Sequence, residues 1–271
     1  MSTPLSTPSA LSTPSALSIP SVLLDARPRA AYEAGHLPGA IHADPDRHLA
    51  APRDPRIGGR HPLPPLEQWL RQVGQWGIGP ETPVVIYDDQ FGANAAARAW
   101  WMLRAIGHER VSVLDGGMRA AGLALTADVP TPLPRDPYPA SAWRRATVDM
   151  ERVDAIRTDP SWKVLDVRSV PRYRGETEPF DPVAGHIPGA INLPYTENLD
   201  GERFKDPAAL RAQYERLLGD TPVDRLVVHC GSGVTACHTL LALEAAGLHG
   251  ASLYVGSWSE WCRNEKPQAK S

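Results

Sequence analysis

The chain has 271 residues, with 28 prolines, 22 glycines and 3 cysteines, a hydrophobic fraction of 42% and a net charge of -3. The length suits two modest domains, the apolar content is enough for a core, and the charge gives no footprint for nucleic acid or an acidic membrane surface. With no apolar run near ~18 residues, no secretory leader pattern and no C-x-x-C, the sequence predicts a soluble, cytoplasmic protein without a disulfide framework or a metal site.

The first residues carry a six-residue repeat, STPSAL at 6–11 and again at 12–17, followed by SIPSVL at 18–23. Ser, Thr and Pro at this density cannot pack a core, which predicts a low-complexity leader over 1–20. A first domain follows over 21–126. Its strand-like runs are LLDAR (23–27), VVIYD (84–88) and VSVLDGG (111–117), and ANAAARAWWMLRAIGH (93–108) reads as a helix. Five prolines then fall close together, at Pro130, Pro132, Pro134, Pro137 and Pro139. Proline removes a backbone donor and extends its neighbour, so residues 127–144 are expected to form an extended linker. The second domain, 145–271, contains the strand-like VLDVR (164–168), LVVHC (226–230) and ASLYVGS (251–257), and a helix over 234–248.

Both halves use the same words in the same order. AGHLPGAI at 34–41 answers AGHIPGAI at 184–191, and the strand-like runs pair off at offsets of 140 to 150 residues. Two copies of one unit explain this, with loop lengths varying between fixed elements. Strand–helix alternation implies an α/β fold with parallel strands, right-handed crossovers and helices on both sheet faces. Ligands of such sheets sit at the carboxyl ends of the strands.

The chemistry points to Cys230. It ends an apolar strand and is followed by Gly231, Ser232, Gly233, Val234 and Thr235 before a helix begins. Glycines let the backbone curl its N–H groups inward, and the helix N-terminus adds its dipole and unpaired amides. Oriented donors of this kind are expected to stabilise a thiolate at Cys230. The first copy has Asp88 at the matching place and supplies no thiol, so it reads as a non-catalytic partner. Cys237 reads as a core residue of the helix, and Cys262 receives no role. Two reactions fit a strand–Cys–loop–helix unit. A cysteine phosphatase needs an arginine at position 236 to clamp phosphate, and Ala236 stands there. Sulfur transfer through a persulfide needs the ring of amides and no such arginine. A non-catalytic sulfur carrier or regulatory module remains the alternative to an enzyme.

On the duplicated GH-[LI]-PGA segment, the D-x-R strand ends, the CGSGVT loop and the closing GSWSEW, the chain resembles the two-domain rhodanese family of sulfurtransferases. The resemblance implies two tandem rhodanese-like domains. It implies that Cys230 is the persulfide-forming nucleophile and that the backbone from Gly231 to Thr235 cradles the sulfur. CGSGVT is similar to the loop of the mercaptopyruvate-type enzymes. The donors implied are 3-mercaptopyruvate or thiosulfate. The acceptors are cyanide, a small thiol or a reduced thioredoxin-like protein, with no cofactor. Arg172 matches the family's substrate-anion arginine, six residues after Asp166 at the strand end. A second arginine expected shortly before GHIPG is missing, with Phe180 and Asp181 near that place and Arg174 as the nearest substitute. A serine relay would map to Ser232 with His36, and with Asp25 or Glu33 as its acid.

Overall fold

The apolar runs form two parallel five-stranded sheets. The computed structural model describes residues 10–51, 54–93 and 95–271. In the first sheet β1 (Leu11–Ser12), β2 (Val22–Asp25), β3 (Ile41–His42), β4 (Val84–Tyr87) and β5 (Val111–Leu114) lie in the order β1-β5-β4-β2-β3. The second sheet begins with β6 (Thr147–Val148), β7 (Lys163–Asp166) and β8 (Ile191–Asn192). A small antiparallel hairpin, β9 (Leu199–Asp200) and β10 (Arg203–Phe204), is inserted next, and β11 (Leu226–His229) and β12 (Ser252–Tyr254) complete the sheet in the order β6-β12-β11-β7-β8. The two orders are one topology used twice, which is the sequence duplication seen in space.

The helices of the first copy are α1 (Arg29–Ala34), α2 (Leu66–Gln75), α3 (Ala96–Ala105) and α4 (Gly117–Ala120). Those of the second are α5 (Met150–Ile156), α6 (Val170–Arg174), α7 (Pro207–Leu218), α8 (Ala236–Ala245) and α9 (Ser257–Trp261). The central strands show why the sequence carries continuous apolar runs rather than alternation. Val84 and Ile86 of β4 enter one core while Val85 and Tyr87 enter another on the opposite face. In β11, Leu226 and Val228 divide from Val227 in the same way. A strand covered by helices on both faces has no polar side to present.

Helices α3 and α8 pack against each other across the two copies. Both are buried almost all round: Ala96 to Leu103 in α3, and Ala236 to Leu243 in α8. A helix covered on nearly every side belongs in a core, and its few buried polar side chains, Arg98 in α3 and His238 and Thr239 in α8, are the exceptions. Here that core is shared, so the first copy presses directly on the helix that follows the Cys230 loop.

The expected leader departs from expectation over its second half. Leu11–Ser12 pairs with β5 as an edge strand, and Ala10, Leu11, Ala16 and Leu17 pack against the cores. The repeat's Ser, Thr and Pro content hid these small apolar anchors; residues 1–9 lie outside the described residues. The Pro-rich segment runs back along the first copy. The Arg135 and Tyr138 amides donate to the Gly74 and Leu70 carbonyls of α2 at 2.9 and 3.0 Å. Among the described residues, no helix is long and apolar enough to cross a membrane.

Candidate active site

Strand β11 ends at His229, and Cys230 begins the loop that turns into α8. The backbone around the thiol is held from the C-terminal GSWSEW segment. The Cys230 N–H donates to Ser257 Oγ at 3.1 Å, and its carbonyl accepts from the Trp258 N–H at 3.1 Å. The Gly231 carbonyl accepts from the Ser259 N–H at 2.8 Å. Ser257 is fully buried and sits at φ 54, a left-handed conformation that a serine rarely adopts. Its hydroxyl also donates to the Tyr254 carbonyl, so the strained residue is bonded on both sides.

The two copies treat this loop differently. In the first, the Asp88 carboxylate accepts from the amides of Gln90, Gly92, Ala95 and Ala96 at 2.8–3.2 Å. A carboxylate therefore fills the ring of amides. In the second, no protein acceptor among the described residues takes the N–H groups of Gly231 through Thr235. The same cradle is left open beside Cys230, and oriented amides of this kind favour an anion.

Cys230 lines a cavity of about 320 Å³ between the two copies. Gly231, Ser232, Val234, Thr235 and Arg172 line it too, so these expected residues are brought together. The first copy contributes Asp46, Arg60, His61 and Arg98. Arg172 directs Nε and Nη2 at Glu178, with Nη2 donating to Oε1 at 2.8 Å. Glu178 also accepts from Arg168 Nη1 at 3.2 Å.

Three expectations change. Gly233 does not line the cavity. It turns the loop at φ 75, and a Cβ there would strike the Val255 carbonyl oxygen. Its own carbonyl accepts from Arg98 Nη1 at 3.2 Å. Asp166 does not touch the cavity either. It is fully buried and grips Arg168, whose Nη2 donates to Asp166 Oδ2 at 2.6 Å and to the Gly185 carbonyl at 2.7 Å. Burial alone would raise its pKa; the Arg168 guanidinium overrides that and holds the carboxyl below the usual range. Asp25 and Arg27 repeat these contacts in the first copy, with Gly35 as acceptor, so D-x-R is a framework device.

His36 is the third correction. It is fully buried, stacks on Tyr32 with ring centroids 3.9 Å apart, and its Nδ1 bonds the Tyr32 carbonyl at 3.0 Å. His186 stacks on Tyr173 at the same separation in the second copy. The histidine that meets Ser232 is His61, with Nδ1 2.7 Å from Ser232 Oγ. Its Nε2 lies 3.9 Å from Asp46 Oδ1. Neither Asp25 nor Glu33 lines the cavity. Burial, reinforced by Arg60 and Arg98, pushes the His61 pKa down, so the ring is neutral at neutral pH. If Ser232 donates its hydroxyl proton to Nδ1, the ring proton sits on Nε2, towards Asp46.

Arg60 and His61 are placed by the C-terminal segment. The Gly58 N–H donates to Glu260 Oε1 at 2.7 Å, and the Arg60 N–H donates to Ser259 Oγ at 3.0 Å. The remaining cysteines stand apart. Burial pushes the Cys237 thiol up to about 12 and the Cys262 thiol up to about 11.

The rhodanese-like domain family matches this chain twice, over residues 10–122 and 149–264. The chain belongs to the rhodanese family. A Pseudomonas aeruginosa protein named "Probable 3-mercaptopyruvate sulfurtransferase" is 46% identical over 235 residues, 85% of this chain and 82% of the relative. Thiosulfate sulfurtransferase of Rattus norvegicus is 35% identical over 253 residues, 89% of this chain and 82% of its own. The solved structure of 3-mercaptopyruvate sulfurtransferase from Leishmania major superimposes with a TM-score of 0.80 at 30% identity, covering 94% of this chain and 74% of that one. Within this rhodanese the second copy alone presents a thiol at the loop, since Asp88 occupies the first.

Proposed function

We propose that this rhodanese transfers a sulfane sulfur from a small anionic donor, 3-mercaptopyruvate or thiosulfate, through a persulfide on Cys230. The observation that carries the reading is the open ring of amides beside Cys230, set against the sister loop that Asp88 fills. The Cys230 thiolate attacks the donor sulfur. With thiosulfate, the S–S bond breaks and sulfite leaves with the electron pair. With mercaptopyruvate, the C–S bond breaks and the pair goes to carbon as the enolate of pyruvate. The proton lost by the donor thiol must then reach that carbon, and the Ser232–His61 pair is placed to carry it. The outer persulfide sulfur lies against the Gly231–Thr235 amides.

An acceptor then attacks that outer sulfur, and the electron pair of the S–S bond returns to Cys230. Cyanide leaves as thiocyanate, and a small thiol or a reduced thioredoxin-like protein leaves as its persulfide. Arg172 holds the donor's anionic group. The cytoplasm is the proposed compartment, because the three cysteines are all free and sulfur exchange with thiols suits reducing conditions.

The test is steady-state turnover with each donor and cyanide as acceptor, repeated in Arg172→Ala. Loss of one charged hydrogen bond to the donor predicts a fall in kcat/KM of about 10–100-fold. Equal kcat/KM in the variant would contradict the assignment of Arg172.

A further inference from the structure

The second arginine expected before GHIPG is absent, and Phe180 stands near its place, 63% exposed at the cavity. Two guanidiniums nevertheless meet there. Arg172 Cζ lies 5.2 Å from the Phe180 ring centroid and Arg60 Cζ lies 5.5 Å from it. One comes from the second copy and the other from the first.

Both point at the same spot beside the thiol loop. A Cβ built on Gly231 would stand 3.0 Å from Arg172 Nη2 and 3.3 Å from Arg60 Nη2. Only a residue without a side chain leaves that space clear. Arg172 bonds Glu178 through Nε and Nη2, leaving Nη1 without a protein acceptor among the described residues. Arg60 pairs with Asp181 through Nη1, leaving Nη2 without one. Asp181 is itself shared with Arg263, whose Nη1 lies 2.6 Å from Oδ1. The acids therefore engage Arg172 through Nε and Nη2 and Arg60 through Nη1, and Glu178 and Asp181 do not line the cavity. Among the charged residues that line the cavity, Arg60, Arg98 and Arg172 stand against Asp46, so positive charge is in excess there.

We propose that Arg60 is the second anion-binding residue of the site: the first copy reaches across the domain boundary and completes, with Arg172, a two-guanidinium clamp for the donor's carboxylate. This rests on the sulfurtransferase reading above. Phe180 acts as the apolar spacer beside which both guanidiniums lie within cation–π distance. The clamp forms only when the two copies are packed together, which gives the copy without a nucleophile a direct part in substrate choice. Because the clamp binds the donor and not the persulfide, it acts on one half of the cycle.

The experiment separates the two half-reactions with mercaptopyruvate as donor. In Arg60→Ala and Arg60→Gln, kcat/KM for the donor falls by about 10–100-fold, carried mainly by KM. Product inhibition by pyruvate weakens in parallel. Discharge of a preformed Cys230 persulfide by the neutral thiol 2-mercaptoethanol keeps its wild-type rate, which also shows that the variants are folded. Arg60→Lys retains the charge without the fork and falls between the two. An unchanged donor KM in Arg60→Gln overturns the proposal, and so does an equal slowing of both half-reactions, which would mark a structural role. Failure of the wild-type protein to form any persulfide removes instead the reading on which the clamp rests.

Discussion

Replacing Gly59 by alanine tests how the first copy delivers its side chains to the thiol. Gly59 is buried at φ 75, and a Cβ there would stand 2.5 Å from Ser259 Oγ and closer still to the Gly256 carbonyl oxygen. If the loop stayed in place, the left-handed alanine would cost about 1–2 kcal/mol and the overlap a further ~1–3 kcal/mol. The upper end applies, because a backbone oxygen cannot swing aside. If the loop lifted instead, it would lose the Gly58–Glu260 and Arg60–Ser259 hydrogen bonds. At about 0.5–1.5 kcal/mol net for each, with the freed groups returned to water, lifting costs about 2 kcal/mol. Lifting wins, and it carries Arg60 and His61 away from Arg172 and Ser232. The expected melting temperature falls by about 4–8 °C, a modest change for a chain of this size. Donor kcat/KM falls by about 10²-fold, since a displacement of an ångström is enough for that. Calorimetry and steady-state turnover with mercaptopyruvate provide the two readings. A Gly59→Ala protein with kcat/KM within about threefold of wild type would refute the reasoning.

Three further outcomes follow from the geometry of the site. His61→Gln should slow turnover of mercaptopyruvate by about 10²-fold and leave thiosulfate nearly unchanged, because only the first donor needs a proton moved. In the wild type, mercaptopyruvate turnover should decline as pH falls through the His61 pKa, which lies below 6.5, since protonated His61 cannot accept from Ser232. That acid limb should vanish in His61→Gln; its persistence would count against His61. Alkylation of the native protein at mildly alkaline pH, read by peptide mapping, should label Cys230 alone, because burial holds Cys237 and Cys262 protonated with thiols at about 12 and about 11. All three cysteines are buried but of them only Cys230 lines the cavity, so comparable labelling of either other thiol would contradict this assignment.

Most of the fold was readable because its signals are local or repeated. The apolar runs at 84–88 and 226–230 are strands for the reason the sequence suggests, being buried on both faces. The duplication predicted the common strand order. At the site, Cys230 and its loop were legible as a contiguous motif, and Arg172 through its resemblance. His36 was misjudged because a histidine inside a repeated motif looks functional, whereas both repeats use it to stack on a tyrosine and bond its carbonyl. Arg60, His61 and Asp46 were missed because they reach Cys230 only across the interface of the two copies. Nothing in their spacing links residues some 170 positions apart. The one available signal was GGRHPLP at 58–64, a polar pair behind two glycines in the first copy with no counterpart in the second.

The central claim is that Cys230 carries the sulfur. Its most direct test is mass spectrometry of the protein after incubation with mercaptopyruvate or thiosulfate and removal of excess donor. The account predicts a gain of one sulfur atom, mapped to the peptide holding Cys230, lost on addition of cyanide and absent in Cys230→Ser. A gain mapped to Cys237 or Cys262, or wild-type turnover in Cys230→Ser, would contradict it.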